Sequence, residues 1–115
     1  MIASFKYAFS GVIVFFKEER NAKIHALLFC LALILGVTFK ISTNEWLAIL
    51  LCSALVFTSE IINTAIENLC DFVCEQKDPK IKKIKDLSAA AVLFASLFSA
   101  IIGMIIFVPK FLLIF

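Results

Sequence analysis

Three stretches without a formal charge constrain this chain more than any other feature. They occupy positions 24–39, 46–59 and 87–109, which is 16, 14 and 23 residues. A helix crossing the hydrocarbon core of a bilayer needs about 20 mostly apolar residues. The third run meets that length alone. The first meets it if its helix starts within 19–23 and leaves those long side chains at the interface. The second meets it only by continuing through Glu60, Asn63, Glu67 and Asp71. Backbone polar groups in lipid must be satisfied internally, and no ten-residue alternating segments are present to build a barrel. The runs therefore predict an all-α integral membrane protein with three membrane helices, about 20–39, 45–73 and 82–108. At 63% hydrophobic and 17% charged residues in 115, the chain is too apolar for a soluble single-domain globule.

Ahead of the first run, Ile2, Phe5, Phe9, Val12 and Phe16 recur at steps of three and four, with Lys6 and Ser10 on another side. That spacing predicts an amphipathic surface helix over 1–16. No basic leader or small-residue cleavage site marks the segment as a signal peptide. The chain, 1–115, then reads as one membrane-embedded domain. Lys17, Arg20 and Lys23 fall in one connection, 17–23, and Lys77, Lys80, Lys82, Lys83 and Lys85 in another, 74–86. The 40–45 turn and the tail after Pro109 carry one lysine each. Positive residues favour the cytoplasmic side, so the N-terminus and the 74–86 loop are expected inside and the C-terminus outside. A formal net charge of +2, with no basic face, argues against a nucleic-acid partner.

The second helix carries the chemistry. Glu60, Asn63, Glu67 and Asp71 are three, four and four residues apart. At 100° per residue they fall within about 80° of one another, and Thr64 joins the same stripe. Ionisable groups in a membrane segment are costly and usually functional. A stripe that merely ties helices together would more often use Ser, Thr, Asn or one acid. Three acids on one face repel unless something positive lies among them: Lys85, Lys23 or a divalent cation. Mg²⁺ takes carboxylate oxygens together with substrate phosphate oxygens, so paired glutamates at the cytoplasmic surface suit a metal–nucleotide complex. Glu19 and Lys23 at the mouth of the first span, and Lys85 and Asp86 at the start of the third, bring charge to the same interface. Such convergence is what an active site requires.

Other chemistries lack their residues. Three glycines form no phosphate-binding loop, the single His25 supports no Ser–His–Asp arrangement, and Cys30, Cys52, Cys70 and Cys74 make no CxxC pair. Trp46 reads as an interfacial anchor. Ser88 to Ala91, with Ser96, Ser99 and Ala100, are small residues at helical spacing and predict close helix contact, hence an oligomer. A small ion-coupled transporter would also use intramembrane acids, but it usually has pseudo-symmetric repeats and an acid nearer mid-membrane. A pure scaffold needs no acid cluster.

The run Glu60-Ile-Ile-Asn63-Thr-Ala-Ile-Glu67-Asn-Leu-Cys-Asp71 resembles the signature of the prokaryotic diacylglycerol kinase family, which includes undecaprenol kinases. Phe5-Lys6-Tyr7-Ala8-Phe9-Ser10-Gly11, Glu19-Arg20-Asn21-Ala22-Lys23-Ile24-His25 and Lys85-Asp86-Leu87-Ser88-Ala89-Ala90-Ala91 stand at compatible spacing. The resemblance implies a homotrimeric inner-membrane kinase with three spans and a surface helix; a charged stripe that cannot face hydrocarbon and the small residues of the third helix add the expectation that each site is shared between neighbours. It implies transfer of the γ-phosphate of MgATP to a lipid hydroxyl, diacylglycerol becoming phosphatidic acid, with undecaprenol as the alternative acceptor. Carried over by position, Glu60 is similar to the general base and Asn63 to its polar neighbour. Glu19 and Glu67 match metal-binding acids that also meet ATP. Lys85 and Asp86 match a nucleotide-contacting pair, and Tyr7 an aromatic near the adenine, with Asp71 and Lys23 as supporting polar groups. Asn21 and His25 resemble the undecaprenol kinase branch. Gln76 and Asp78 depart from the Glu and His that relatives often carry in the loop before the third span.

Overall fold

Lipid offers the backbone no partner but itself, so every long apolar run must close its own hydrogen bonds as helix. The computed structural model describes residues 1–115 as four helices: α1 Ile2–Glu18, α2 Arg20–Thr38, α3 Thr43–Val73 and α4 Pro79–Ile114. The last three are each long and apolar enough to cross a membrane.

The connections are shorter than the charge pattern suggested. Residues 17–23 are not a loop: Glu19 alone, with extended φ −97° and ψ 114°, separates α1 from α2. Lys17, Arg20 and Lys23 are helical, because charge at an interface does not by itself break a helix. The basic loop likewise contracts to 74–78. Asp78 caps α4 by accepting the Lys80 N–H at 2.7 Å, with Pro79 in the first turn, where a missing N–H costs nothing. Lys80, Lys82, Lys83 and Lys85 therefore ride on α4 itself. At its other end α4 runs past 108 and encloses Pro109. Pro109 withholds a backbone donor, yet stopping in an apolar setting would orphan a whole turn of carbonyls. Lys110 Nζ covers one of them, donating to the Ile106 carbonyl at 3.2 Å.

The chain turns from α2 to α3 through Lys40, whose φ is 52°. Ser42 then starts α3 with a capping box: Glu45 N–H donates to Ser42 Oγ at 3.2 Å, and Ser42 N–H to Glu45 Oε1 at 2.9 Å. Two orphan donors are satisfied reciprocally.

α3 and α4 form an antiparallel pair tied at both ends. Lys110 Nζ meets Glu45 Oε2 at 2.7 Å at one end. Lys85 Nζ meets Asp71 Oδ1 at 2.5 Å at the other. Between them the Ser99 hydroxyl donates to the Cys52 carbonyl at 3.4 Å. Glu45 and Asp71 are 26 positions apart, Lys85 and Lys110 25, so the register holds from end to end. Ser88 and Ala95 are buried within the chain. Of the small residues of α4, Ser88 is taken up by this intrachain packing, while Ala89, Ala91 and Ala100 stay exposed.

α2 leans on this pair at the end away from Glu19. Phe39 stacks edgewise on Phe111 and lies near Phe107, while Trp46 sits where a side chain at Gly36 would be. Ile41, Ile49 and Ile106 are the buried centre there. Toward the opposite end α2 leaves a cleft of about 350 Å³ against α3 and α4. It is lined mostly by apolar side chains and extends from His25 and Phe57 to Ile49 and Phe107.

Only 12 of 115 residues are buried, and the chain presents 8842 Å² to its surroundings. A soluble protein of 12.8 kDa would present about 6,300 Å². The surplus is apolar, with Leu27, Leu51, Phe94 and Ile105 all exposed, so lipid or further protein must cover it.

Candidate active site

The polar stripe of α3 is where the four helices meet chemically. Glu60 is 3% exposed. Its Oε1 lies 3.0 Å from His25 Nε2 on α2, and its Oε2 is buried without any partner. One turn on, the Thr64 hydroxyl lies 2.9 Å from the Glu60 carbonyl and 3.1 Å from Glu19 Oε2. Asn63 Nδ2 donates to Glu67 Oε1 at 2.9 Å, leaving Asn63 Oδ1 buried and unpartnered. Buried polar atoms are paired in native structures with few exceptions, so two orphan acceptors on one helix face mark a place built to receive donors or a cation.

The junction of α1 and α2 faces the same stripe. Glu18 Oε2 accepts from Asn68 Nδ2 at 3.0 Å, and Glu19 meets Thr64. A helix break at Glu19 is what lets both acids turn toward α3. Of the sequence-predicted residues, the fold thus joins Asn63 to Glu67 directly and brings Glu19 to the Glu60 turn of α3 through Thr64.

Asp71 is held by Lys85, one of the positive partners expected for the stripe. The others fall elsewhere. Lys23 is exposed and enters none of the four ion pairs. Asp86 pairs with Lys82 one turn before it, away from Lys85. Tyr7 is 74% exposed on α1. The side chain that meets the Glu60 carboxylate is neither lysine but His25, which sequence reasoning set aside as a lone histidine.

Around Asp71 and Lys85 the 74–78 connection and the first turns of α4 enclose a polar hollow of about 580 Å³. Lys77, Lys82, Lys85, Asp71 and Asp86 line it, an alternation of charges that can hold phosphates and hydroxyls together. No three His, Cys, Asp or Glu side chains converge as a ready-made metal cage, and all four cysteines are free thiols.

Comparison with known proteins gives the family. The sequence profile of the prokaryotic diacylglycerol kinase family matches residues 6–107. An undecaprenol kinase of Bacillus subtilis is 38% identical over 107 residues, covering 93% of this chain and 87% of the relative. A diacylglycerol kinase of Synechocystis is 31% identical over 113 residues, covering 97% of this chain and 65% of that longer protein. An acid stripe on a membrane helix, a hollow of mixed charge beside it and a family match over nearly the whole length lead to one assignment: the chain belongs to the prokaryotic diacylglycerol kinase family of ATP-dependent lipid kinases.

Proposed function

We propose that this chain transfers the γ-phosphate of MgATP to the primary hydroxyl of a membrane lipid, with Glu60 as the general base. The observation that supports this reading is the Glu60 carboxylate: buried in a membrane helix, with one oxygen held by His25 and the other unpartnered. An acceptor of this kind needs a donor, and a lipid hydroxyl supplies one. The hydroxyl proton passes to Glu60 Oε2 as the lipid oxygen attacks the γ-phosphorus in line, and ADP leaves. Little covalent chemistry is asked of the protein; positioning and charge neutralisation do the rest.

Glu19 and Glu67 are the residues to hold Mg²⁺. Both offer hard oxygens along the stripe: Glu67 is held by Asn63, whose Oδ1 is left without a partner, and Glu19 meets Thr64 one residue on. Two carboxylates without a third protein ligand are a normal magnesium set, since phosphate oxygens and water fill the remaining positions. When bound there, the ion would supply neutralisation of charge on the phosphates. Lys85 and Asp86 border the polar hollow and serve the nucleotide, with Asp71 holding Lys85 in place. Tyr7 covers the base, and Lys23 adds positive charge at the mouth of α2.

The whole chain acts as one domain in the cytoplasmic membrane, with the N-terminus and active site inside. α1 lies along the membrane surface, and three copies assemble to cover the surplus apolar area.

Two acceptors are in contention, diacylglycerol giving phosphatidic acid and undecaprenol giving its phosphate. The greater likeness to an undecaprenol kinase, over 87% of that relative, favours undecaprenol. Purified protein in vesicles containing one lipid or the other, with labelled ATP, tests this. Label in undecaprenyl phosphate above that in phosphatidic acid is expected. The reverse ratio restores diacylglycerol, and ATP hydrolysis with no label in either lipid overturns the kinase reading for this chain.

A further inference from the structure

Glu60 has neighbours on every side but only one that fixes its carboxylate. From α1 and α2 come Glu19 and His25; Glu19 contacts Thr64, and His25 alone reaches the Glu60 side chain. On α3 itself, the Thr64 hydroxyl touches the Glu60 backbone carbonyl and not its carboxylate. Lys85 on α4 is engaged by Asp71. A carboxylate can only accept, so His25 Nε2 carries the hydrogen in the 3.0 Å contact. The imidazole also lines the end of the apolar cleft between α2, α3 and α4, so the pair stands where hydrocarbon space meets the polar stripe.

We infer that His25 is a positioning residue for the transfer. Its N–H, seated on Glu60 Oε1, holds the carboxylate in one orientation and leaves Oε2 as the oxygen that takes the lipid proton. This rests on Glu60 being the base. A base must be within hydrogen-bond reach of its proton, and a long flexible acid without an orienting partner spends little time there. The arrangement has the logic of an orienter holding a base, with the histidine as orienter and the acid as base.

The competing role is a tie between α2 and α3 with no bearing on the proton. Turnover of the full chain in undecaprenol-containing vesicles separates the two. His25→Ala should lower kcat by about tenfold to a hundredfold, as loss of an orienting partner does, with KM for ATP unchanged. Added imidazole should restore much of the loss, because the cleft gives it a route to the vacated position. His25→Gln, which keeps an N–H, should exceed His25→Leu, which fills the space without one. Glu60→Gln should stay inactive with or without imidazole. The inference falls if His25→Ala turns over at the normal rate, if imidazole does nothing for it, or if His25→Gln is no better than His25→Leu. An active Glu60→Gln would instead sink the reading of Glu60 as base, and this inference with it, by a result seen separately.

Discussion

At Glu60 a single atom change isolates proton acceptance from everything else. Glu60→Gln keeps the shape and an acceptor for His25 but removes the basic oxygen, and turnover should fall by about a hundredfold or more. ATP binding, measured calorimetrically on the same protein, should persist. Glu19 and Glu67 call for a different comparison. If they hold one cation, each single Gln variant should weaken the dependence of rate on Mg²⁺, and the double variant should lose little beyond the worse single one, as groups acting as a unit do. Additive losses would mean two separate sites. The stripe was legible because its steps of three and four repeat the helical period. His25 was not, because its partner lies 35 positions away and a lone histidine at the edge of an apolar run has no spacing to interpret. Tyr7 was named by resemblance alone, and it stands 74% exposed on α1.

Helix–helix contact can be tested with two glycines of opposite behaviour. A Cβ at Gly36 would lie 2.6 Å and 2.8 Å from the Trp46 ring and 3.1 Å from Ile41. Gly36→Ala must push a partly buried ring out of the Ile41 cluster, and overpacking of that kind costs about 1–3 kcal/mol. Gly103 meets nothing within 4 Å, so Gly103→Ala should gain roughly 0.5–1 kcal/mol from helix propensity. Thermal unfolding in one detergent should therefore move in opposite directions for the two. Three spans could be read from charge-free length, since lipid enforces helix wherever that length exists. Their ends could not. Lys17, Arg20 and Lys23 signal an interface, which a helix crosses as readily as it ends there. Pro109 signals a stop that the apolar setting overrides. The Ser42–Glu45 box, by contrast, was present in the sequence as S-x-x-E, a start signal for α3 at 43 and not 45.

For the molecule as a whole, the expectation of three copies comes from the family resemblance, and the excess of exposed apolar surface leaves room for such contacts. Sedimentation in density-matched detergent should return a protein mass of about three times 12.8 kDa, and a single-chain mass would mean that lipid alone covers the surplus. The ties at Glu45–Lys110 and Asp71–Lys85 have a mechanical consequence. They stand roughly 38 Å apart along the helix axes, and sliding α3 past α4 by one turn would break both together. The hairpin is therefore a strut of set height. When the bilayer is too thin or too thick, the strut does not shorten; it tilts, or the lipid around it stretches. Glu60 rides on that strut at a constant distance from the Asp71 tie, so the depth at which it meets a lipid hydroxyl follows the thickness of the membrane. Reconstituted into a series of phospholipids of increasing acyl length, the enzyme should turn over fastest at one thickness and more slowly on either side.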